Sequence, residues 1–149
     1  MKSLRQLVED IIKELSSAIQ IDTSEQLQFV EENEAIGDVR YAVFEDRIRY
    51  RFGDIEAFTF TFYFEDYEEF SELQASRIAV EFLALIENFK QCQHVVYRWG
   101  NISGHMPWTW GLDVSLGKLK QAIIDNNEIL AFDEMKTPEI YGWTGRIGT

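Results

Sequence analysis

The chain has 149 residues, a length that fits one domain with a hydrophobic core of its own. It carries 26 acidic and 14 basic residues, a net charge of −12, which disfavours nucleic-acid binding because that affinity comes largely from Lys and Arg side chains at phosphates. The single cysteine, Cys92, excludes an internal disulfide. Because no apolar run resembles a signal peptide or a membrane span, we expect one soluble, cytoplasmic domain over residues 1–149, with no membrane partner.

The first part of the chain predicts an amphipathic helix. Apolar residues recur at helical spacing over residues 3–20, and charged residues occupy the rest of the turn. A short strand is predicted over residues 26–32, and the acidic residues 31–34 are typical of a turn. The apolar positions of the helix are Leu4, Leu7, Val8, Ile11, Ile12, Leu15 and Ile19.

Residues 39–44 and 47–52 predict a β-hairpin whose register follows from its alternating pattern. A two-residue loop at residues 45–46 places Tyr41 opposite Tyr50, and the apolar side chains of both strands then share one face.

Four phenylalanines fall at every second position of residues 58–64, which indicates a strand with one aromatic face. An uncharged aromatic strand at a sheet edge is an aggregation hazard, so we expect this strand at the centre of an antiparallel sheet. A three-residue turn after Phe52 would pair Tyr50 with Phe58 and keep the apolar face continuous. The phenylalanines are Phe58, Phe60, Phe62 and Phe64.

The same register places four of the eight arginines on the opposite face of this sheet, beside Thr59, Thr61 and Tyr63. Like charges on neighbouring strands repel, so an anion should offset them. The candidates are the chain's own carboxylates at residues 31–34 or near the C-terminus, a bound anion or acidic partner, or a small ligand held with Tyr63. The four arginines are Arg40, Arg47, Arg49 and Arg51.

The second half of the chain predicts a long helix over residues 71–90, with Ser71 as its cap. This helix is apolar on nearly all sides, which predicts a central position across the phenylalanine face. The tail after Pro138 is expected to dock onto the body through its apolar side chains. The elements between are a strand over residues 93–99, a helix from Asp113 or Ser115 to Asn127, and a strand over residues 129–132.

These elements together predict the α+β class. The expected architecture is a twisted, mainly antiparallel sheet of four to six strands, with helices packed on one face.

Residues 99–111 contain no Asp, Glu, Lys or Arg and resemble a glycine-punctuated loop. Its aromatic and sulfur side chains are typical of the cores of protein interfaces, which predicts a partner-binding loop. The alternative is that the two last tryptophans of the loop cap the end of the core. The candidate contacts are His105, Met106, Trp108 and Trp110.

A second candidate surface is an acidic connector after the phenylalanine strand. Its carboxylates lie among other charges that keep them ionised, so they favour a solvated face or a patch facing a basic partner over acid–base catalysis. The residues are Asp66, Glu68, Glu69 and Glu72.

The two histidines, His94 and His105, show no metal-ligand spacing, and we predict no metal site and no cofactor. Cys92 and His94 are expected as two buried residues of one strand, since a catalytic thiolate needs its base within hydrogen-bond reach. The glycines match neither a dinucleotide fingerprint nor a phosphate-binding loop.

The sequence favours a non-catalytic binding protein. The first hypothesis is an acidic inhibitor or immunity-type protein that masks a basic partner such as a toxin or nuclease. The second is a dimeric adaptor similar to the secretion chaperones of bacterial pathogens, which the order of helices and strands resembles. The third is a small-ligand-binding domain or enzyme that uses the His105 loop and the arginine face.

Overall fold

The structure, a computed structural model, describes residues 2–23, 26–55, 58–64, 71–109, 115–127 and 136–147. In these ranges it confirms the α+β class, with antiparallel pairing throughout, but the strands form two sheets instead of one. The chain divides into two compact units, Met1–Glu87 and Asn88–Thr149, and the single domain stays a prediction. The elements are α1 (Leu4–Leu15), β1 (Ile19–Asp22), β2 (Leu27–Glu31), β3 (Val39–Val43), β4 (Arg47–Arg51), β5 (Thr59–Tyr63), α2 (Ser71–Lys90), β6 (His94–Trp99), β7 (Ile102–Pro107), α3 (Leu116–Asn127), β8 (Glu139–Gly142) and β9 (Gly145–Ile147).

The first unit contains a five-stranded antiparallel sheet in the order β1-β2-β3-β4-β5. Helix α2 packs on its aromatic face, where the ring of Phe82 meets the rings of Tyr41, Tyr50 and Phe62 edge-on at centroid distances of 5.0, 5.6 and 5.7 Å. Edge-to-face contacts of this kind add to the free energy gained from burying the rings. The prediction that the phenylalanine strand faces a helix is therefore confirmed.

The predicted β3–β4 hairpin is confirmed in its register. Tyr41 lies opposite Tyr50, and the backbone N–H of Phe44 donates to the carbonyl of Arg47 at 2.7 Å, which closes the two-residue loop. The same register places Arg40 directly opposite Arg51.

The predicted register between β4 and β5 is wrong by two residues. Tyr50 pairs with Phe60 instead of Phe58, so the aromatic face is kept while the turn is longer. The cause is a contact outside the hairpin, because the N–H of Asp54 donates to the carbonyl of Ile36 at 2.9 Å. This bond holds the turn against the preceding loop and delays the start of β5.

The predicted central position of the phenylalanine strand is also wrong. Strand β5 is the last in the sheet order and pairs with β4 alone among the described strands. The hazard of an exposed aromatic edge is reduced because Phe58 and Phe64 are buried and Phe62 packs on helix α2.

Helix α1 is confirmed, but it ends before the predicted residue 20. Its N-terminus has a capping box between Ser3 and Gln6. At the other end, Ser16 takes an extended conformation and its hydroxyl accepts the N–H of Ala18 at 3.1 Å, which competes with helical bonding. The following residues form the edge strand β1, so Ile19 is 48 % exposed instead of packed inward.

Helix α2 has the predicted span, but it is not buried on nearly all sides. Leu73 is 55 % exposed and Val80 is 51 % exposed, whereas Ile78 and Phe82 are fully buried. The helix is thus an ordinary surface helix with one apolar face. Within the described ranges, no helix combines the length and the apolar character that crossing a membrane requires.

The second unit contains a four-stranded antiparallel sheet in the order β7-β6-β8-β9, with α3 packed on it. The C-terminal docking is confirmed, because Ile140 and Ile147 are buried in this core. The hydroxyl of Ser115 accepts the N–H of Lys118 at 3.3 Å, which supports Ser115 as the start of α3. The strand predicted over residues 129–132 lies outside the described residues.

Candidate functional site

The arginine face of the first sheet is the most distinctive surface of the first unit. Side chains alternate across a strand, and the inward tyrosines therefore direct the neighbouring arginines of β3 and β4 to the other side. The prediction that these arginines share one face beside Thr59, Thr61 and Tyr63 is confirmed by the pairing. We define the arginine face as Arg40, Arg47, Arg49 and Arg51.

An open concavity of about 290 Å³ lies on this face. Its lining includes Arg40, Arg49 and Arg51, together with the neutral polar side chains of Gln28 and Thr59. A guanidinium group can donate two parallel hydrogen bonds to a carboxylate or phosphate, and the amide and hydroxyl groups can add further bonds. The surface is thus suited to binding an anionic group.

The charges of the arginine face are only partly balanced by the chain. Arg40 lies 3.9 Å from Asp38, and Arg47 lies 3.8 Å from Asp46. Within the described part of the chain, no carboxylate lies within 4 Å of the guanidinium groups of Arg49 or Arg51. The ion pairs that the structure shows on this face therefore involve acids one or two residues away in sequence, not the predicted residues 31–34.

Arg47 differs from the other three arginines in its surroundings. Its guanidinium carbon lies 5.9 Å from the centre of the Phe44 ring. Its Nε atom is buried and has no hydrogen-bond partner among the described residues. Arg47 is therefore half-buried beside Phe44, and Arg49 and Arg51 are more exposed to a ligand.

The expected exposure of the partner-binding loop is wrong for two of its residues, whereas His105 is half-buried and its role in binding a partner stays a prediction. Met106 is 3 % exposed and Trp108 is 5 % exposed, because both belong to the core of the second unit. They lie in or just after strand β7, which replaces most of the predicted loop. The alternative that Trp108 serves the core is therefore correct, and Trp110 lies outside the described residues.

The structure describes one of the four residues of the acidic connector. Glu72 is exposed in the first turn of α2. Asp66, Glu68 and Glu69 lie outside the described residues. Their role in binding a basic partner stays a prediction.

A histidine pair is the feature of the second unit that sequence reasoning missed. His94 Nε2 and His105 Nδ1 lie 2.7 Å apart, within hydrogen-bond distance. Strand β6 pairs with β7 so that His105 lies opposite Val96 and His94 lies opposite Pro107, which makes the two imidazoles diagonal neighbours on one face. The spacing of the two histidines in the sequence predicts that they are neighbours only if residues 94–107 are recognised as a β-hairpin.

The environment of the histidine pair favours neutral imidazoles. Burial, and after it the neighbouring His105, lower the pKa of His94 from 6.5 to about 4. Burial also lowers the pKa of His105. The ring of Phe89, in the last turn of α2, meets both imidazoles edge-on at centroid distances of 4.9 and 6.2 Å.

A concavity of about 510 Å³ adjoins His94. Its lining includes Asn88, Gln93, Trp108 and Thr109. The described residues contain no cluster of three or more His, Cys, Asp or Glu side chains arranged for a metal ion. Any ion here would need ligands beyond the two histidines.

Comparisons of the chain with protein-family models, curated protein sequences and solved structures give no match. The function must therefore be argued from the two sites above.

The predicted placement of Cys92 and His94 on one strand is wrong, because β6 begins at His94 and Cys92 lies in the turn before it. Cys92 has a φ of 58°, in the left-handed region. It terminates α2 through two hydrogen bonds, from the Cys92 N–H to the Phe89 carbonyl at 3.0 Å and from the Gln93 N–H to the Asn88 carbonyl at 2.8 Å. These are the bonds of a Schellman motif, a structural role for Cys92.

Proposed function

We propose that this protein is a non-catalytic binding protein whose arginine face binds the carboxylates of an acidic protein segment. The observation that carries the proposal is the pair Arg49 and Arg51, exposed on one strand of a sheet with no carboxylate within 4 Å in the described chain. Side chains on a strand are held at defined spacing, which lowers the entropy lost when a ligand binds.

The repulsion between Arg40 and Arg51 supports a role in binding. Like charges placed directly opposite on neighbouring strands destabilise a sheet by roughly 0.2–1 kcal/mol. A local arrangement that opposes folding is expected chiefly at functional sites. An acidic segment bound across the two strands would turn this repulsion into attraction.

The arginine face offers charge without a catalytic group. Arginine stays protonated at neutral pH and serves neither as a nucleophile nor as a general base. The face can therefore hold and orient an anion, which fits an inhibitor, immunity-type or adaptor protein better than an enzyme.

Fluorescence anisotropy with a labelled hexaglutamate peptide tests this proposal at low and moderate salt. We expect the peptide to bind despite the net charge of −12, and the Arg49→Thr/Arg51→Thr variant to bind at least about tenfold more weakly. Binding should weaken as salt increases, since the contacts are charged.

The matched control is Arg77→Thr, which removes an arginine from α2, outside the arginine face. This variant should bind hexaglutamate with nearly the wild-type affinity. Equal affinity of the wild type and the double variant, or no binding by the wild type, would contradict the proposed use of the arginine face.

A second candidate, the acidic inhibitor of a basic partner, is favoured by the distribution of charge. Outside the arginine face the sequence holds 26 acidic residues and 14 − 4 = 10 basic residues, so the excess of negative charge on the rest of the chain is greater than the net charge suggests. A field of this sign accelerates encounter with a basic protein.

Calorimetry with a panel of basic nucleases and toxins tests this second candidate. A true partner should bind with an association rate that falls as salt increases. Absence of binding to the whole panel would count against it. Light scattering on the protein alone addresses the adaptor hypothesis, which requires a stable dimer.

A further inference from the structure

A single row of paired residues crosses the five-stranded sheet on the side of the arginine face. From β1 to β5 each residue of the row lies directly opposite the next, in the order Ile19, Val30, Arg40, Arg51 and Thr59. Directly paired residues direct their side chains to the same side of a sheet. The arginine face is therefore part of a larger surface that changes from apolar to basic across the strands.

The apolar end of this surface is open to solvent. Ile19 is 48 % exposed and Ile21 is 41 % exposed, whereas Val30 between them and the arginines is buried. Ile21 lies opposite Gln28, which lines the concavity on the arginine face. We define Ile19 and Ile21 as the apolar strip. Covering this strip would remove apolar surface from water and add to the free energy of binding a ligand.

We propose, on the basis of the function proposed above, that the partner of the arginine face is an extended acidic segment with an apolar side chain at one end. Its carboxylates lie two and four residues from that apolar side chain. The segment crosses the strands, so that the apolar side chain contacts the apolar strip and the two carboxylates contact Arg40 and Arg51.

The spacing of the row determines the spacing within the ligand. Neighbouring strands lie about 4.8 Å apart, so Arg40 and Arg51, two and three strands from Ile19, lie about 10 and 14 Å along the row. Side chains on one side of an extended peptide recur every second residue, which places the second and third about 7 and 13 Å from the first. The flexible arginine side chains can span the remaining difference of about 3 Å.

Charge selects an acidic ligand over a second copy of this chain. No carboxylate of the described residues lies within 4 Å of the guanidinium groups of Arg49 or Arg51, and the exposed pair of Arg40 with Asp38 at 3.9 Å is a weak one. A second copy would bring Asp22 of β1 and a further net charge of −12 to the interface, and the two copies would repel each other.

Nuclear magnetic resonance titration of the full chain with acetylated and amidated pentapeptides tests the proposal. The probes are Leu-Ser-Glu-Ser-Glu and the same peptide in reversed order, and the references are the two peptides with serine in place of leucine. About 0.1 M NaCl screens charges that lie more than about 10 Å apart. We expect the leucine peptide of one direction to bind at least about threefold more tightly than its serine reference.

A peptide of the same composition controls for the spacing. In Leu-Glu-Ser-Glu-Ser the carboxylates lie one and three residues from the leucine, so an extended chain directs them away from the side on which the leucine lies. This peptide and its reverse should bind at least about threefold more weakly than the preferred probe. Equal affinity of the two arrangements would overturn the proposed spacing.

Substitution of the apolar strip tests where the leucine binds. Ile19→Thr/Ile21→Thr keeps two β-branched residues that favour strands, and it should bind the leucine and serine peptides with equal affinity. The matched control is Val80→Gln, which replaces a residue that is 51 % exposed on α2, the helix packed on the opposite face of the sheet. This variant should keep the preference for leucine.

The outcomes separate this inference from the function on which it rests. If hexaglutamate binds but leucine gives no gain in the wild type, or gives the same gain in the isoleucine double variant, the inference alone is overturned. If hexaglutamate and every pentapeptide fail to bind, the use of the arginine face itself is overturned. Self-association of the wild type that the double variant abolishes would assign the apolar strip to a second copy and would equally overturn the inference.

Discussion

Cys92 occupies a backbone conformation that suits glycine. A residue with a Cβ atom in the left-handed region, such as Cys92 with its φ of 58°, costs roughly 1–2 kcal/mol, whereas glycine adopts this region freely. The Schellman bonds that end α2 need this conformation, so the cost is imposed by the fold.

Replacing Cys92 with glycine should therefore stabilise the protein. The release of roughly 1–2 kcal/mol of backbone cost exceeds the roughly 0.4–1 kcal/mol lost through the greater freedom of glycine in the unfolded chain. We expect a net gain of about 0.5–1 kcal/mol, measured by urea unfolding. Cys92→Ala is the control, since it removes the thiol and keeps the Cβ atom. A glycine variant no more stable than the alanine variant would contradict this account.

The ionisation of Tyr41 should lower the free energy of unfolding at alkaline pH. Burial raises its pKa from 10.0 to about 12, although the hydrogen bond between the hydroxyl groups of Tyr41 and Ser16 opposes this effect. The folded state therefore keeps the phenolic proton after the unfolded chain has released it, and the stability contributed by Tyr41 falls as pH increases from about 10 to about 12.

The measurement is the free energy of unfolding between pH 9 and roughly 12, for the wild type and Tyr41→Phe. The variant should show a shallower decline in this range. Some decline should remain, because burial also raises the pKa of Tyr50. If the free energy of unfolding depends on pH with the same slope in both proteins, Tyr41 has the same pKa in the folded and unfolded states.

At the level of the elements, the β6–β7 hairpin depends on a close approach between two strands. Gly104 lies opposite Tyr97, and a Cβ atom added at Gly104 would lie 2.8 Å from the ring carbon Cζ of Tyr97. The ring cannot move away easily, because Tyr97 is 1 % exposed and its hydroxyl accepts hydrogen bonds from Asn126 and Asn127.

Gly104→Ala should accordingly destabilise the protein by about 1–3 kcal/mol through overpacking. Gly117→Ala is the matched control, since Gly117 lies in α3 with no atom within 4 Å of the added methyl group. The control should gain about 0.5–1 kcal/mol from the higher helix propensity of alanine. Thermal unfolding of both variants should shift Tm in opposite directions, and equal shifts would refute the close-packing argument.

The repulsion within the arginine face should lower the stability of the folded protein. Arg51→Thr removes a charge directly opposite Arg40 and introduces a residue that favours strands, so stability should rise by roughly 0.2–1 kcal/mol. Arg98→Thr is the comparison, because Arg98 donates two hydrogen bonds to Glu139 at 2.9 and 2.7 Å. That variant should be destabilised, and urea unfolding would distinguish the two. A loss of stability in Arg51→Thr would mean that the arginine stabilises the sheet.

The registers show what period-two alternation can predict. The β3–β4 pairing followed from alternation and a short loop, and both are local in sequence. The β4–β5 pairing was wrong by two residues because a shift of two leaves every side chain on the same face. The contact that decides it, between Asp54 and Ile36, joins separate turns and has no local signature.

The two candidate sites also differ in whether the sequence could predict them. The arginine face could be predicted, since it is the other face of an alternating hairpin. The histidine pair was missed, because Gly100 and Gly104 favoured a loop where the structure has the β6–β7 hairpin. The burial of Trp108 was equally inaccessible, since it depends on packing in the core of the second unit.

At the level of the whole molecule, a net charge of −12 should oppose folding through self-repulsion. Increasing NaCl from about 10 mM to about 150 mM shortens the screening length from roughly 30 Å to roughly 8 Å, so we expect Tm to rise. The control is the same comparison near the isoelectric point of about 4.5, where the rise should be much smaller. A Tm independent of salt at pH 7 would show that the charges are already balanced locally.

Two turns of the first unit constrain one another. Gly37, with a φ of 92°, has no room for a Cβ atom because Asp54 lies against it, and Gly53, with a φ of 76°, has none because the carbonyl of Ile36 lies against it. A side chain acquired at either glycine would displace the other turn, and with it the register of β5. Descendants of this sequence should therefore keep both glycines, and a loop graft should transfer the two turns as one piece.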